Sequence, residues 1–168
     1  MSAPAQPSLE ERIARLEAIE AIRQLKHRYL RACDLKEPDT FRECFVAHGA
    51  TVDYGPRIGR FEDADGIAAV FAKIALERVD GELVIFDMHH GLHPDIEVES
   101  DTRATGRWTL RFRQVDRRAG TERVSAIEYD DTYVVEDGRW RIQTCLVRTL
   151  WTLVTPLPEG HQIIETLS

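Results

Sequence analysis

Leu9, Ile13, Leu16, Ile19, Ile22, Leu25, Tyr29 and Ala32 recur at spacings of three and four. That period places them on one stripe of a single long helix, with Glu and Arg on its other side. Ser8 is its expected N-cap, and Glu10 and Glu11 sit beside the positive end of the helix dipole. Pro38 forbids continuation and biases Glu37 away from helix. A short helix is predicted over 39–46, with Phe41 and Phe45 on one side. A strand over 50–54 ends at Gly55-Pro56. A third helix over 63–76 turns Ile67, Val70, Phe71 and Ile74 inward. From there the pattern becomes strand-like over 83–88, 95–99, 105–115, 122–136 and 139–151, with turns at 116–120 and 136–138. Helices first and strands on short turns afterwards argue for an α+β fold with a mostly antiparallel sheet. Such a sheet, covered by helices on one side, curls around them into a cone. The mouth of a cone is the usual place for a small ligand.

With 168 residues the chain is sized for one domain, expected over 9–155 between an N-terminal tail at 1–8 and a C-terminal tail at 156–168 that could act as a lid or subunit contact. A net charge of -7 lacks the basic face that nucleic acid requires, so no nucleic-acid partner is expected. Cys33, Cys44 and Cys145 show no metal or disulfide spacing and read as small buried residues in a reducing compartment. No secretory pattern and no run of membrane-span length stand in the sequence, so the expected place is the cytoplasm, with no membrane partner.

Half of the six histidines fall within 89–93, after the apolar run 83–86. Three roles compete: acid or base, metal ligand, and satisfied core residue. On a strand His89 and His90 point to opposite faces, and His89 and His93 lie about 13 Å apart at roughly 3.3 Å per residue. A metal needs ligands about 2 Å from one centre, and Gly91 and Pro94 spoil the helix that would bring them together. No metal site is therefore expected. The core reading of His89 competes with another residue. Asp34 lies where the first helix ends, and a carboxylate near a core needs a partner. An imidazole N–H is a natural one, and Asp34 would then fix the tautomer of His89 and raise its basicity. His90 would face away, and His93 would sit in a turn. Tyr29, on the apolar stripe, and Tyr54, ending the first strand, read as core phenols or site phenols. Arg148, in the apolar run 146–151, reads either as an edge residue with its head in water or as a paired interior cation. If Trp108, Leu110 and Phe112 point inward, Thr109, Arg111 and Arg113 point out.

Several pieces, in this order and spacing, resemble a known superfamily. They are Glu20-Ala21-Ile22-Arg23-Gln24-Leu25-Lys26, then Tyr29 and Asp34, then Met88-His89 with Pro94. Ala104-Thr105-Gly106-Arg107-Trp108, Asp137-Gly138-Arg139-Trp140 and Val147-Arg148 follow. The resemblance is to the nuclear transport factor 2-like superfamily, in its SnoaL-like branch with scytalone dehydratase and, more closely, bile-acid 7α-dehydratase. It implies a cystatin-like α+β barrel. It also implies His89 as the base, Asp34 as its orienting carboxylate, Tyr29 and Tyr54 as phenols that meet an enolate oxygen, and Arg148 as the holder of a polar substrate end. Trp108, Leu110, Phe112, Ile127 and Trp151 would form apolar wall. Two departures stand out: His93 occupies a position where relatives often have Asn, and Phe112 one where bile-acid relatives carry a carboxylate. The implied activity is a cofactor-independent lyase that dehydrates a hydroxylated fused-ring ketone, steroid-like or polyketide-like. The rivals are a ketosteroid-type isomerase or a polyketide cyclase with the same site, and a non-catalytic small subunit like that of ring-hydroxylating oxygenases. The resemblance also implies a homo-oligomer, a trimer before a dimer.

Overall fold

A computed structural model describes residues 6–166, so the start of the tail expected at 1–8 and the end of that expected at 156–168 lie outside the described residues. Helix α1 (Leu9–Leu35) starts at a capping box: the Ser8 hydroxyl accepts from the Glu11 amide at 3.2 Å, and the Glu11 carboxylate accepts from the Ser8 amide at 2.6 Å. Its stripe is buried from Ile22 onward, whereas Leu9, Ile13 and Leu16 stay exposed because the helix outruns the sheet. Helix α2 (Pro38–Glu43) takes Pro38 as a first-turn residue. It ends before the predicted 46, because Phe45 leaves it to bridge Ile142 and the Val46 amide bonds the Ile142 carbonyl. Strands β1 (Thr51–Asp53) and β2 (Arg60–Phe61) precede α3 (Ala64–Ala75), whose N-cap is Asp63. Ile67 is buried there, but Ile74 is exposed, contrary to the pattern-based expectation, because the last turn runs past its cover.

The small hairpin β3 (Arg78–Val79) and β4 (Glu82–Leu83) leads into four long strands, β5 (Ile85–Ser100), β6 (Arg103–Asp116), β7 (Thr121–Glu136) and β8 (Arg139–Pro156). The main sheet has the order β2-β1-β8-β7-β6-β5 and is antiparallel except where β1 meets β8. The sheet curves around α1, giving the α+β cone expected. Two predicted strands, 83–88 and 95–99, are one strand. The register shift between Leu92 and Asp95 holds a bulge at His93, whose φ of 50° absorbs the extra residue, so His93 is not in a turn. The β7–β8 hairpin turns on Asp137 and Gly138, both at positive φ, as a tight two-residue turn requires.

The inner face carries an ion pair inside the core. Lys26 Nζ donates to Asp131 Oδ2 at 2.7 Å, with both side chains fully buried. Tyr133 donates to the same oxygen at 2.7 Å, and Trp108 Nε1 donates to the Tyr133 hydroxyl at 2.9 Å. The ammonium also lies 3.6 Å from the centre of the Tyr129 ring. Gly106 makes room for this network, since a Cβ there would meet Tyr133 Cε2 at 2.9 Å. Removing one member of a buried pair strands the other charge. Asp131→Ala is therefore expected to lower stability by about 3–5 kcal/mol in urea unfolding, while Lys26→Met combined with Asp131→Leu costs much less.

Candidate active site

Helix α1 ends against the edge strand β5, and the contact there is polar. Asp34 Oδ1 lies 2.6 Å from His89 Nδ1. The backbone amide of His89 also donates to Asp34, at 3.1 Å to Oδ1 and 3.2 Å to Oδ2. An edge strand leaves alternate amides without a ladder partner, and Asp34 satisfies this one. A carboxylate at Nδ1 favours the tautomer with its hydrogen on Nδ1, which leaves Nε2 with a free lone pair. The side chains are 13% exposed for His89 and 28% for Asp34, so the pair is sheltered yet open to approach. Gly91 brings the helix this close: a Cβ there would stand 2.6 Å from Leu30 Cδ1. Phe112, opposite His89 on β6, packs its ring 4.8 Å from the imidazole.

A second ion pair runs beside the first. Lys36 Nζ donates to Asp87 Oδ2 at 2.6 Å, and Gln114 Nε2 donates to Asp87 Oδ1 at 2.9 Å. Deeper in, the hydroxyls of Tyr29 and Tyr54 are hydrogen-bonded to each other, and the Tyr29 ring packs against Phe41 and edge-on to Tyr129. Tyr29 is wholly buried and Tyr54 half-buried. Burial holds the hydroxyls of Tyr29, Tyr54, Tyr129 and Tyr133 well above the usual phenol range. They are neutral donors at neutral pH. Burial also raises all three thiols, Cys44 to about 11, which makes them packing groups and not nucleophiles.

Several expected site residues are placed elsewhere. Arg148 lies on the outer face, 68% exposed and paired with Glu128, because its neighbour Val147 faces Tyr129 on the inside. Trp151 is 58% exposed on the same outer face. A regular strand would put residues three apart on opposite faces, but the bulge at Leu150 brings both outside. Trp108 and Leu110 point inward but are consumed in core packing, so they are floor and not free wall. Phe112 and Ile127 do lie on the inner face near the imidazole end. His90 is exposed on the outer face opposite Arg111, and His93 sits in the bulge, so the three histidines do not converge. An open groove of about 310 Å³, lined by Gln24, His27, Arg28, Arg31 and Glu37, lies on α1 and the start of α2, away from the pair. Lys26, Lys36, Asp87, Tyr129 and Asp131 escaped the sequence reading. Its one usable signal was that Lys26 and Asp87 interrupt apolar patterns.

A curved sheet closed on a helix, with one imidazole held by one carboxylate inside, defines a protein of the nuclear transport factor 2-like class. More narrowly, the chain belongs to the SnoaL-like domain family, which it matches over residues 14–145. Among solved structures, a Novosphingobium aromaticivorans protein provisionally named a scytalone dehydratase aligns with a TM-score of 0.72 and 22% identity, covering 89% of this chain and 98% of that one. A type-3 hexachlorocyclohexane dehydrochlorinase from Novosphingobium barchaimii aligns with a TM-score of 0.72 and 18% identity, covering 91% and 99%. At such identities the likeness is one of fold.

The buried phenols predict the alkaline behaviour. The folded chain keeps its four phenolic protons where the unfolded chain loses them. Their contribution to stability is whole below about pH 10 and is lost as pH rises beyond it. Phenolate absorbance is expected to appear only together with loss of the fold, in a pH titration followed by both absorbance and circular dichroism.

Proposed function

We propose that this chain is a cofactor-independent lyase that removes water from a hydroxylated fused-ring ketone. The observation that carries the reading is the 2.6 Å contact of Asp34 with His89 Nδ1, which leaves Nε2 as a sheltered base. Nε2 takes a proton from the carbon beside the carbonyl, and the C–H electrons move toward the carbonyl oxygen to give an enolate. A neutral phenol is the donor suited to that oxygen. Tyr54, the less buried of the bonded pair, provides it, with Tyr29 behind as its hydrogen-bond partner. The enolate then collapses to a carbon–carbon double bond, the C–O bond on the next carbon breaks, and the imidazolium returns the proton so that water leaves. Asp34 stabilises the imidazolium between the two steps.

The substrate class rests on apolar surroundings. Phe112 covers one side of the imidazole, and Ile127 lies on the same inner face. That environment suits a steroid-like or aromatic polyketide ring system better than a sugar, in line with the resemblance to bile-acid 7α-dehydratase. Two fold relatives, one provisionally named a dehydratase and one named a dehydrochlorinase, carry names that denote eliminations. An isomerase or cyclase would share the first proton transfer and differ in keeping the oxygen. The outer face, with Leu150, Trp151 and Leu153 exposed, supports association with further copies of the chain, for which a trimer is the proposed form.

In a panel of hydroxylated steroid and polyketide ketones followed by mass spectrometry, the protein is expected to produce a product lighter by one water. His89→Ala is expected to lower kcat by at least about 100-fold while circular dichroism shows the fold retained through the amide bonds to Asp34. Arg148→Ala, on the outer face, is expected to leave turnover unaltered. Full activity in His89→Ala would overturn the reading.

A further inference from the structure

Lys36 lies two positions after Asp34, and His89 two positions after Asp87. The ion pairs Asp34–His89 and Lys36–Asp87 therefore run side by side between the end of α1 and β5, each closed at 2.6 Å. The Lys36–Asp87 pair is the better buried: Lys36 is 5% exposed and Asp87 9%, against 28% and 13% for Asp34 and His89. Long charged side chains at a helix end normally stay in water, and a surface pair holds little. This pair has been taken out of water, with the second oxygen of Asp87 satisfied by Gln114.

Lys36 is also held where its backbone resists. Its φ of 63° is left-handed, the conformation that closes α1 by bringing its amide to the carbonyls of Ala32 and Cys33. Glycine adopts that conformation without strain and is the usual residue there. A lysine at this position trades backbone ease for its ammonium.

The charges explain what that ammonium does. Asp34, Lys36 and Asp87 sum to one negative charge beside a neutral His89, and to zero once His89 carries a proton. Their proximity to one another is marked by Cys33, whose thiol feels the charges of all three. On the sheet beside His89 the inner face carries the uncharged Phe112 and Gln114 on β6 and Ser125 on β7. Arg123, opposite Gln114, is the nearest cation on the inner face of β7, while His90 and Arg111 face outward. Without Lys36, Asp34 and Asp87 would sum to two negative charges, and a proton on His89 would still leave one. Without Asp87, Asp34 and Lys36 sum to zero, so a proton on His89 would leave one positive charge in place of none.

We propose that Lys36 and Asp87 are a positioning pair for the Asp34–His89 unit, fixing β5 against α1 and balancing the charge around the imidazole. The catalytic consequence rests on the reading of His89 as a base, but the charge balance does not.

Nitrogen NMR of the His89 ring, followed through a pH titration, tests the balance without any turnover. Asp87→Asn is expected to move the titration midpoint down by about one pH unit, and Lys36→Gly to move it up by a similar amount. The glycine suits the left-handed backbone, so that variant retains its fold. The double variant should return close to the wild-type midpoint, and Lys36→Arg should stay near it throughout. Shifts in the same direction for both single variants, or no shift in either, would overturn the proposal, since a merely structural clamp would loosen alike from both sides. With a turned-over ring ketone, the acid limb of the kcat profile should follow the same opposite shifts while KM stays nearly constant. Opposite NMR shifts without turnover of any ketone would uphold the charge balance and count against the lyase reading alone.

Discussion

One carboxylate, Asp34, accepts hydrogens from both the backbone amide and the ring of His89. The fold depends on this contact as much as the site does. Strand β5 is the free edge of the sheet, and its unpaired amides need partners. Asp34 supplies one only if α1 lies inside the curve of the sheet with its last turn at His89. Gly91, two residues on, removes the Cβ that would hold the helix away. Orientation of the imidazole is therefore not a separate achievement of the site. It follows from the way the edge of the sheet is closed, with one carboxylate holding both the amide and the ring of His89.

The inner face of the cone changes character along its strands. At one end Lys26, Asp131, Tyr133 and Trp108 form a fully buried, hydrogen-bonded network. In the middle Tyr29 and Tyr129 pack among apolar neighbours, with Tyr54 bonded to Tyr29. At the other end stand His89, Phe112 and the charges around them. Buried polar networks are costly unless their members are satisfied, and once satisfied they favour one arrangement over its near alternatives. Here the first network fixes how α1 lies on β7, and the tie to β5 fixes its far end. The phenols between the two are held neutral by burial, the state in which a phenol can donate to a forming enolate.

Much of this was legible in the sequence because it depends on period and order. The three-and-four spacing from Leu9 to Ala32 specified a long one-sided helix, and the switch to strand patterns after residue 83 specified a sheet to receive it. Asp34 and His89 could be paired across the chain because each was out of place in apolar surroundings and each needed what the other had. The rest turned on parity and on distant partners. The resemblance implied that Arg148 and Trp151, three apart, meet the substrate, although Arg148 also read as an edge residue; the bulge at Leu150 and the inward Val147 send both outside. The single strand from Ile85 to Ser100 looked like two, over 83–88 and 95–99, where the chain instead runs through with a bulge at His93. Lys26 and Asp87 interrupt apolar patterns, whereas Lys36 and Asp131 resemble solvated surface residues in sequence. The burial of all four depends on a partner far along the chain, which no local pattern identifies.

The central claim is that His89, held by Asp34, removes a proton beside a carbonyl. Its most direct test is hydrogen exchange in deuterium oxide, using fused-ring ketones that lack the leaving hydroxyl. The protein is expected to speed deuterium incorporation at the carbon beside the carbonyl, followed by proton NMR, and His89→Gln to abolish the acceleration. Equal incorporation with His89→Gln, or no acceleration with any ketone of the panel, would contradict it.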